Sequence, residues 1–191
     1  MRSAFANCGQ VCLGTERVYV ERPIFDEFLI RLKEKGSQLV LGKPDDQKAN
    51  FGPLVSKEHQ QKVLSYYKKA VEEGATVELG GGVPDMPTDL QAGAWVEPTI
   101  WTGLNDDCSV VQEEIFGPCC ALLPFDDEYD VIQRANDTDY GLACAIWTEN
   151  NSRAVRVARQ IDAGPTFQVI RRSGKFQGEI TPITPRGTLI E

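Results

Sequence analysis

Two short stretches hold residue types that could do chemistry. Residues 5–12, Phe-Ala-Asn-Cys-Gly-Gln-Val-Cys, set two thiols around Gly9 and Gln10. A cysteine attacks only as the thiolate, and nearby dipoles or cations lower its pKa. Gly9 lets the backbone approach a substrate or cofactor closely. A short polar turn ahead of a strand can display a thiol. On spacing alone, Cys12 is either such a nucleophile or a small buried hydrophobe. The second stretch, residues 110–120, reads Val-Val-Gln-Glu-Glu-Ile-Phe-Gly-Pro-Cys-Cys. Acids before an apolar segment usually face solvent. A carboxylate here could instead accept hydrogen bonds from a sugar diol, as at the ribose of dinucleotides. Phe116 could then lie against a flat ring.

Other chemistries fit less well. Six cysteines stand at 8, 12, 108, 119, 120 and 144, His59 is the only histidine, and no C-x-x-C occurs. A zinc site needs three or four well-spaced ligands, so no metal is expected. Cys119 and Cys120 read as small hydrophobes inside an apolar run. The net charge of −8 disfavours nucleic acid as a partner. No run of about 18 apolar residues and no secretory h-region is present, so a cytoplasmic chain with no membrane span is expected.

These residues must be positioned by the elements around them. Residues 17–20 (RVYV) read as a strand. A helix follows, with Pro23 in its first turn and Phe25, Phe28, Leu29 and Leu32 on one face. Residues 42–54 read as a loop. Ser56 caps a helix over 57–73, with Val63, Leu64, Tyr67 and Val71 apolar and Gly74 as its stop. Strands are expected at ATVEL (75–79), WVEPTIW (95–101), CCALLPF (119–125) and GLACAIWT (141–148), the last two buried on both faces. A glycine- and proline-rich surface loop lies between the first two. Two further helices follow CCALLPF and GLACAIWT: one carrying Tyr129, Ile132 and Ala135, the other capped by Asn151 or Ser152. Alternating strands and helices predict an α/β fold with a largely parallel sheet flanked by helices. No G-x-G-x-x-G and no P-loop is present.

Taken together, the two stretches resemble the aldehyde dehydrogenase superfamily. Its motif F-x-N-x-G-Q-x-C stands here as Phe5, Asn7, Gly9, Gln10 and Cys12. Its motif E-E-x-F-G-P stands as Glu113, Glu114, Phe116, Gly117 and Pro118. Within the family, residues 7–28 and 63–84 look most like the 2-hydroxymuconic and 2-aminomuconic semialdehyde dehydrogenases. The resemblance implies the catalytic domain of the aldehyde dehydrogenase fold over residues 1–164. It implies Cys12 as nucleophile, Glu114 on the nicotinamide ribose hydroxyls and Phe116 beside the nicotinamide ring. Asn7 matches a structural position, and Cys8 falls at a variable one. The implied activity is oxidation of a small carboxylate-bearing semialdehyde to the acid through a cysteine thiohemiacetal and thioester. NAD is the implied acceptor, or NADP; the ribose 2′ position that selects between them is read outside these residues. The full-length family implies a homo-oligomer.

The chain departs from the family in two places. The family's nucleotide-binding domain, general-base glutamate and oxyanion asparagine lie upstream of the cysteine motif, and none can be placed in these 191 residues. The expectation is therefore a cofactor-domain-less piece that does not oxidise aldehydes alone. The alternatives are an inactive remnant, a subunit-pairing fragment, or a cofactor-free esterase acting through the same cysteine. Past Gly164 the family's P-F-G-G motif is missing. Residues 165–191 read as a divergent tail: either a frameshifted, disordered segment or a genuine edge strand around TFQVI.

Overall fold

The computed structural model describes residues 2–43, 45–164, 166–170 and 181–183. The chain divides into two compact units, 1–125 and 126–191.

The first unit is built on a four-stranded sheet in the order β1-β4-β3-β2: β1 Arg17–Glu21, β4 Cys119–Phe125, β3 Thr99–Thr102 and β2 Thr76–Leu79. β4 runs parallel to both β1 and β3, with Ala121 opposite Arg17 on one side and Trp101 on the other. Only β2 is antiparallel to its neighbour. β4 shows why a strand with two covered faces reads as a continuous apolar run: Cys119 to Leu123 are all buried. Helix α3, Lys57–Glu72, covers one face and sets the Tyr67 ring edge-on to Trp101 at 5.4 Å. Helix α2, Phe25–Gly36, covers the other, where a Cβ at Gly36 would collide with Leu79. Phe25, Leu29 and Leu32 pack on the core, whereas Phe28 is exposed.

The Ser56 cap is present: Ser56 Oγ accepts from His59 N at 3.0 Å. The buried stripe of α3 is Gln60, Val63, Tyr67 and Ala70. Val71, another apolar residue of this helix, is exposed. It lies one residue, about 100°, beyond Ala70 around the helix. Two short helices complete this unit, α1 (Arg2–Phe5) and α4 (Ser109–Gln112).

The second unit holds α5 (Glu128–Asn136), β5 (Cys144–Thr148), α6 (Asn151–Ala158), β6 (Thr166–Ile170) and β7 (Thr181–Ile183). β6 pairs parallel with β5 and antiparallel with β7. The TFQVI segment is thus a strand, but it lies between two others rather than at an edge. The remaining tail expectations, over 165, 171–180 and 184–191, lie outside the described residues. β5 was expected to be buried on both faces; instead its exposure alternates. Cys144 and Ile146 pack on a small core of Ile132, Val157, Ile161 and Ala163, while Trp147 is exposed. Tyr129 is exposed too, leaving Ile132 as the buried residue of α5. The α6 cap is Asn150, one residue before the expected position, accepting from Arg153 N at 3.0 Å. No helix among the described residues is long and apolar enough to cross a membrane.

Candidate active site

Parallel pairing brings the two motifs together. β1 and β4 are neighbours running the same way, so the segments that feed them enter at the same end of the sheet. The segment before β1 carries Cys12, and the segment before β4 carries Glu113–Pro118. Glu16 O accepts from Ala121 N at 2.8 Å where the two strands begin to pair.

The cysteine stretch is a tight turn. Asn7, Cys8 and Gly9 have φ of 49°, 57° and 72°. Left-handed backbone costs an L-residue about 1–2 kcal/mol, so Asn7 and Cys8 need neighbours that hold them. Asn7 Nδ2 donates to Gln10 O at 3.0 Å, and Gln10 Nε2 donates back to Asn7 O at 3.2 Å. Gln10 Oε1 accepts from Val55 N at 2.9 Å, tying the turn to the start of α3. Cys8 points inward and donates to Gly52 O at 3.0 Å; burial pushes its thiol pKa up. A second turn closes from Gly14 N to Val11 O at 2.7 Å and presents Cys12, the one exposed cysteine of the six.

Gly9 joins the two motifs. A Cβ there would overlap the Gly117 carbonyl and press on Pro118, and the backbone is left-handed as well. Only glycine meets both demands.

In the second stretch Glu113 and Glu114 are both exposed. Glu113 Oε2 accepts from Tyr66 OH at 2.7 Å, and its carboxylate lies 3.6 Å from Lys69 Nζ. Lys62 Nζ donates to Glu114 O at 3.3 Å. Phe116 is half-buried and has φ 59°, the third non-glycine residue in the left-handed region among those described. Its N–H donates to Glu16 Oε1 at 2.8 Å, and Ile115 N donates to Glu16 Oε2 at 3.0 Å. Its carbonyl accepts from His59 Nε2 at 2.7 Å, which places a proton on that ring nitrogen. Burial pushes the Glu16 carboxyl pKa up and the Glu114 charge adds to the rise, while the two backbone donors and Lys62 pull against it.

Glu16 and His59 lie outside both motifs. Glu16 left one signal, an acid directly against a strand entry four residues after a candidate thiol. Its role is made by the two backbone donors of Ile115 and Phe116, which its place in the sequence does not announce.

Comparison with known proteins identifies the family of the chain. A family model described as the aldehyde dehydrogenase family matches residues 1–172. The chain is 67% identical over 164 residues to a 2-hydroxymuconic semialdehyde dehydrogenase of Pseudomonas sp. (strain CF600), covering 86% of this chain and 34% of that protein. It is 55% identical over 164 residues to a 2-aminomuconic 6-semialdehyde dehydrogenase of Pseudomonas sp., covering 86% and 33%. The chain thus spans about a third of the length of these relatives. Among solved structures, the NAD+ complex of an aldehyde dehydrogenase from Bacillus cereus matches with a TM-score of 0.84 at 34% identity, over 98% of this chain and 37% of that one.

Proposed function

Because the chain belongs to the aldehyde dehydrogenase family, we propose that Cys12 is the nucleophile in oxidation of a carboxylate-bearing semialdehyde to its acid. The observation that carries this reading is the seating of Gly9 on Gly117: it packs an exposed thiol's loop against the loop of Glu114 and Phe116. The Cys12 thiolate adds to the aldehyde carbon, leaving an alkoxide and, after oxidation, a Cys12 thioester that water cleaves. On this reading the backbone N–H of Cys12 itself holds part of the developing oxyanion's charge.

Glu114 and Phe116 fit a nicotinamide dinucleotide. An exposed carboxylate can accept both hydroxyls of a ribose, and a half-exposed ring two residues on, with both backbone groups of its residue hydrogen-bonded, can support a flat ring. When bound, NAD(P)+ supplies the hydride acceptor. The semialdehyde preference rests on the Pseudomonas relatives.

The test is a graft of the 164 matched residues into the CF600 relative. The chimera should reduce NAD+ with 2-hydroxymuconic semialdehyde and favour it over uncharged aldehydes of similar size. Cys12→Ala should lower kcat about a thousandfold or more. Turnover that survives Cys12→Ala, or a preference for uncharged aldehydes, would contradict the reading.

A further inference from the structure

The E-E-x-F-G-P loop depends on a residue that cannot hold its own backbone in place. Phe116 has a bulky side chain and a positive φ. Such a conformation persists only where the surroundings fix it. Here both polar groups of the Phe116 peptide are taken by side chains from other elements. Glu16, on the segment between Cys12 and β1, takes the N–H with one oxygen and the preceding N–H with the other. His59, on the first turn of α3, takes the carbonyl, and its ring meets the Phe116 ring edge-on at 6.3 Å. Nothing in the reaction chemistry uses either side chain.

We propose that Glu16 and His59 are positioning residues, a two-sided clamp that holds Phe116 left-handed and so fixes the Glu114–Phe116 stretch against the thiol-bearing loop. Its purpose rests on the reading of Glu114 and Phe116 as cofactor contacts; its existence does not. Because Glu16 follows Cys12 by four residues on one continuous segment, the clamp ties nucleophile and cofactor loop to a common support. Charged and titratable groups face the Glu16 carboxyl from each side: Glu114 on the clamped loop, Lys62 on α3, and Cys119 and Cys120 on β4. The two cysteines stay neutral, since burial lifts both thiols and pushes Cys120 up to about 12. Loss of the Glu16 charge therefore weakens both backbone hydrogen bonds at once.

The experiment is a pH titration of the 15N-labelled chain, with neither aldehyde nor dinucleotide present. The Ile115 and Phe116 amide protons should move upfield together as pH falls, in one step centred above the ordinary glutamate value. Glu16→Gln should abolish that step and shift the Phe116 amide–Hα coupling away from its left-handed value. His59→Gln, which keeps a donor near the place of Nε2, should preserve the coupling; His59→Ala should not. Phe116→Gly needs no clamp, so the Glu16→Gln/Phe116→Gly double variant should return the Gly9 and Gly117 amides to their positions in Phe116→Gly alone. Unlinked or absent titration of Ile115 and Phe116, or a Phe116 coupling indifferent to Glu16→Gln, would overturn the proposal. The wild-type titration needs no variant, so a substitution that fails to fold leaves the test intact. A thiol shown inert at Cys12 would sink the functional reading and leave the clamp standing.

Discussion

Cys8 and Cys12 stand four residues apart, and the backbone between them decides their fates. Three successive left-handed residues turn Cys8 into the core, where it donates to Gly52, and the turn closed by Gly14 leaves Cys12 outside. Glu113 is occupied by Tyr66 and Lys69, an exposed arrangement contributing about 0–1 kcal/mol. If Glu114 contacts the nicotinamide ribose as proposed, Glu114→Gln in the grafted enzyme should slow hydride transfer by up to about 100-fold, the scale of a small misplacement of a reacting ring. NAD+ binding should change far less, and Glu113→Gln should be nearly silent. Stopped-flow measurement of the first turnover separates these effects; equal losses from the two substitutions would remove the special status of Glu114. The two motif loops, which meet where Gly9 packs on Gly117, could be singled out in the sequence because a short motif fixes residue type and spacing together. Glu16 could not, because its two partners lie about 100 residues away along the chain.

Helix α3 serves the site from both ends. Its first turn supplies His59, and the Ser56 cap satisfies the His59 N–H at that helix end. At its far end, Glu73 caps α4 in turn, accepting from Ser109 N at 3.1 Å, Val110 N at 3.3 Å and the Ser109 hydroxyl. Burial alone would raise the Glu73 pKa; these donors and Lys69 outweigh it and hold the carboxyl below its usual value. A lowered pKa means stability that is present above the unfolded value, about 4.3, and lost as pH falls through the folded one. Glu73→Gln should thus cost about 1 kcal/mol at pH 7, and the difference should shrink below about pH 4. Urea unfolding at both pH values checks this; an equal cost at each would show that charge is irrelevant to the cap. Strands β1 and β4 and the capped start of α3 were readable from apolar runs and a serine. β5 was misjudged because an apolar run shows that a strand can be covered on both faces, not that it is. Val71 is exposed although apolar because a one-residue step moves a side chain from stripe to flank.

At the scale of the whole molecule, topology makes the site. Neither motif contacts the other by sequence proximity; about 100 residues separate them. Parallel pairing of β1 with β4 delivers both to the amino end of the sheet, the reverse of the usual α/β arrangement in which ligands gather at the carboxyl ends. That placement follows from having both motifs precede their strands, a feature visible in the sequence. Their pairing was not visible, because strand order is decided by packing between α2 and α3. The central claim is that this arrangement singles out one thiol. Brief iodoacetamide treatment of the native chain, followed by peptide mass mapping, tests it directly. Cys12 should be alkylated first; Cys108 and Cys144 are half-buried, and Cys8, Cys119 and Cys120 are buried with thiol pKa values pushed up. Labelling of Cys8 at the same rate as Cys12 in the folded chain would contradict the account.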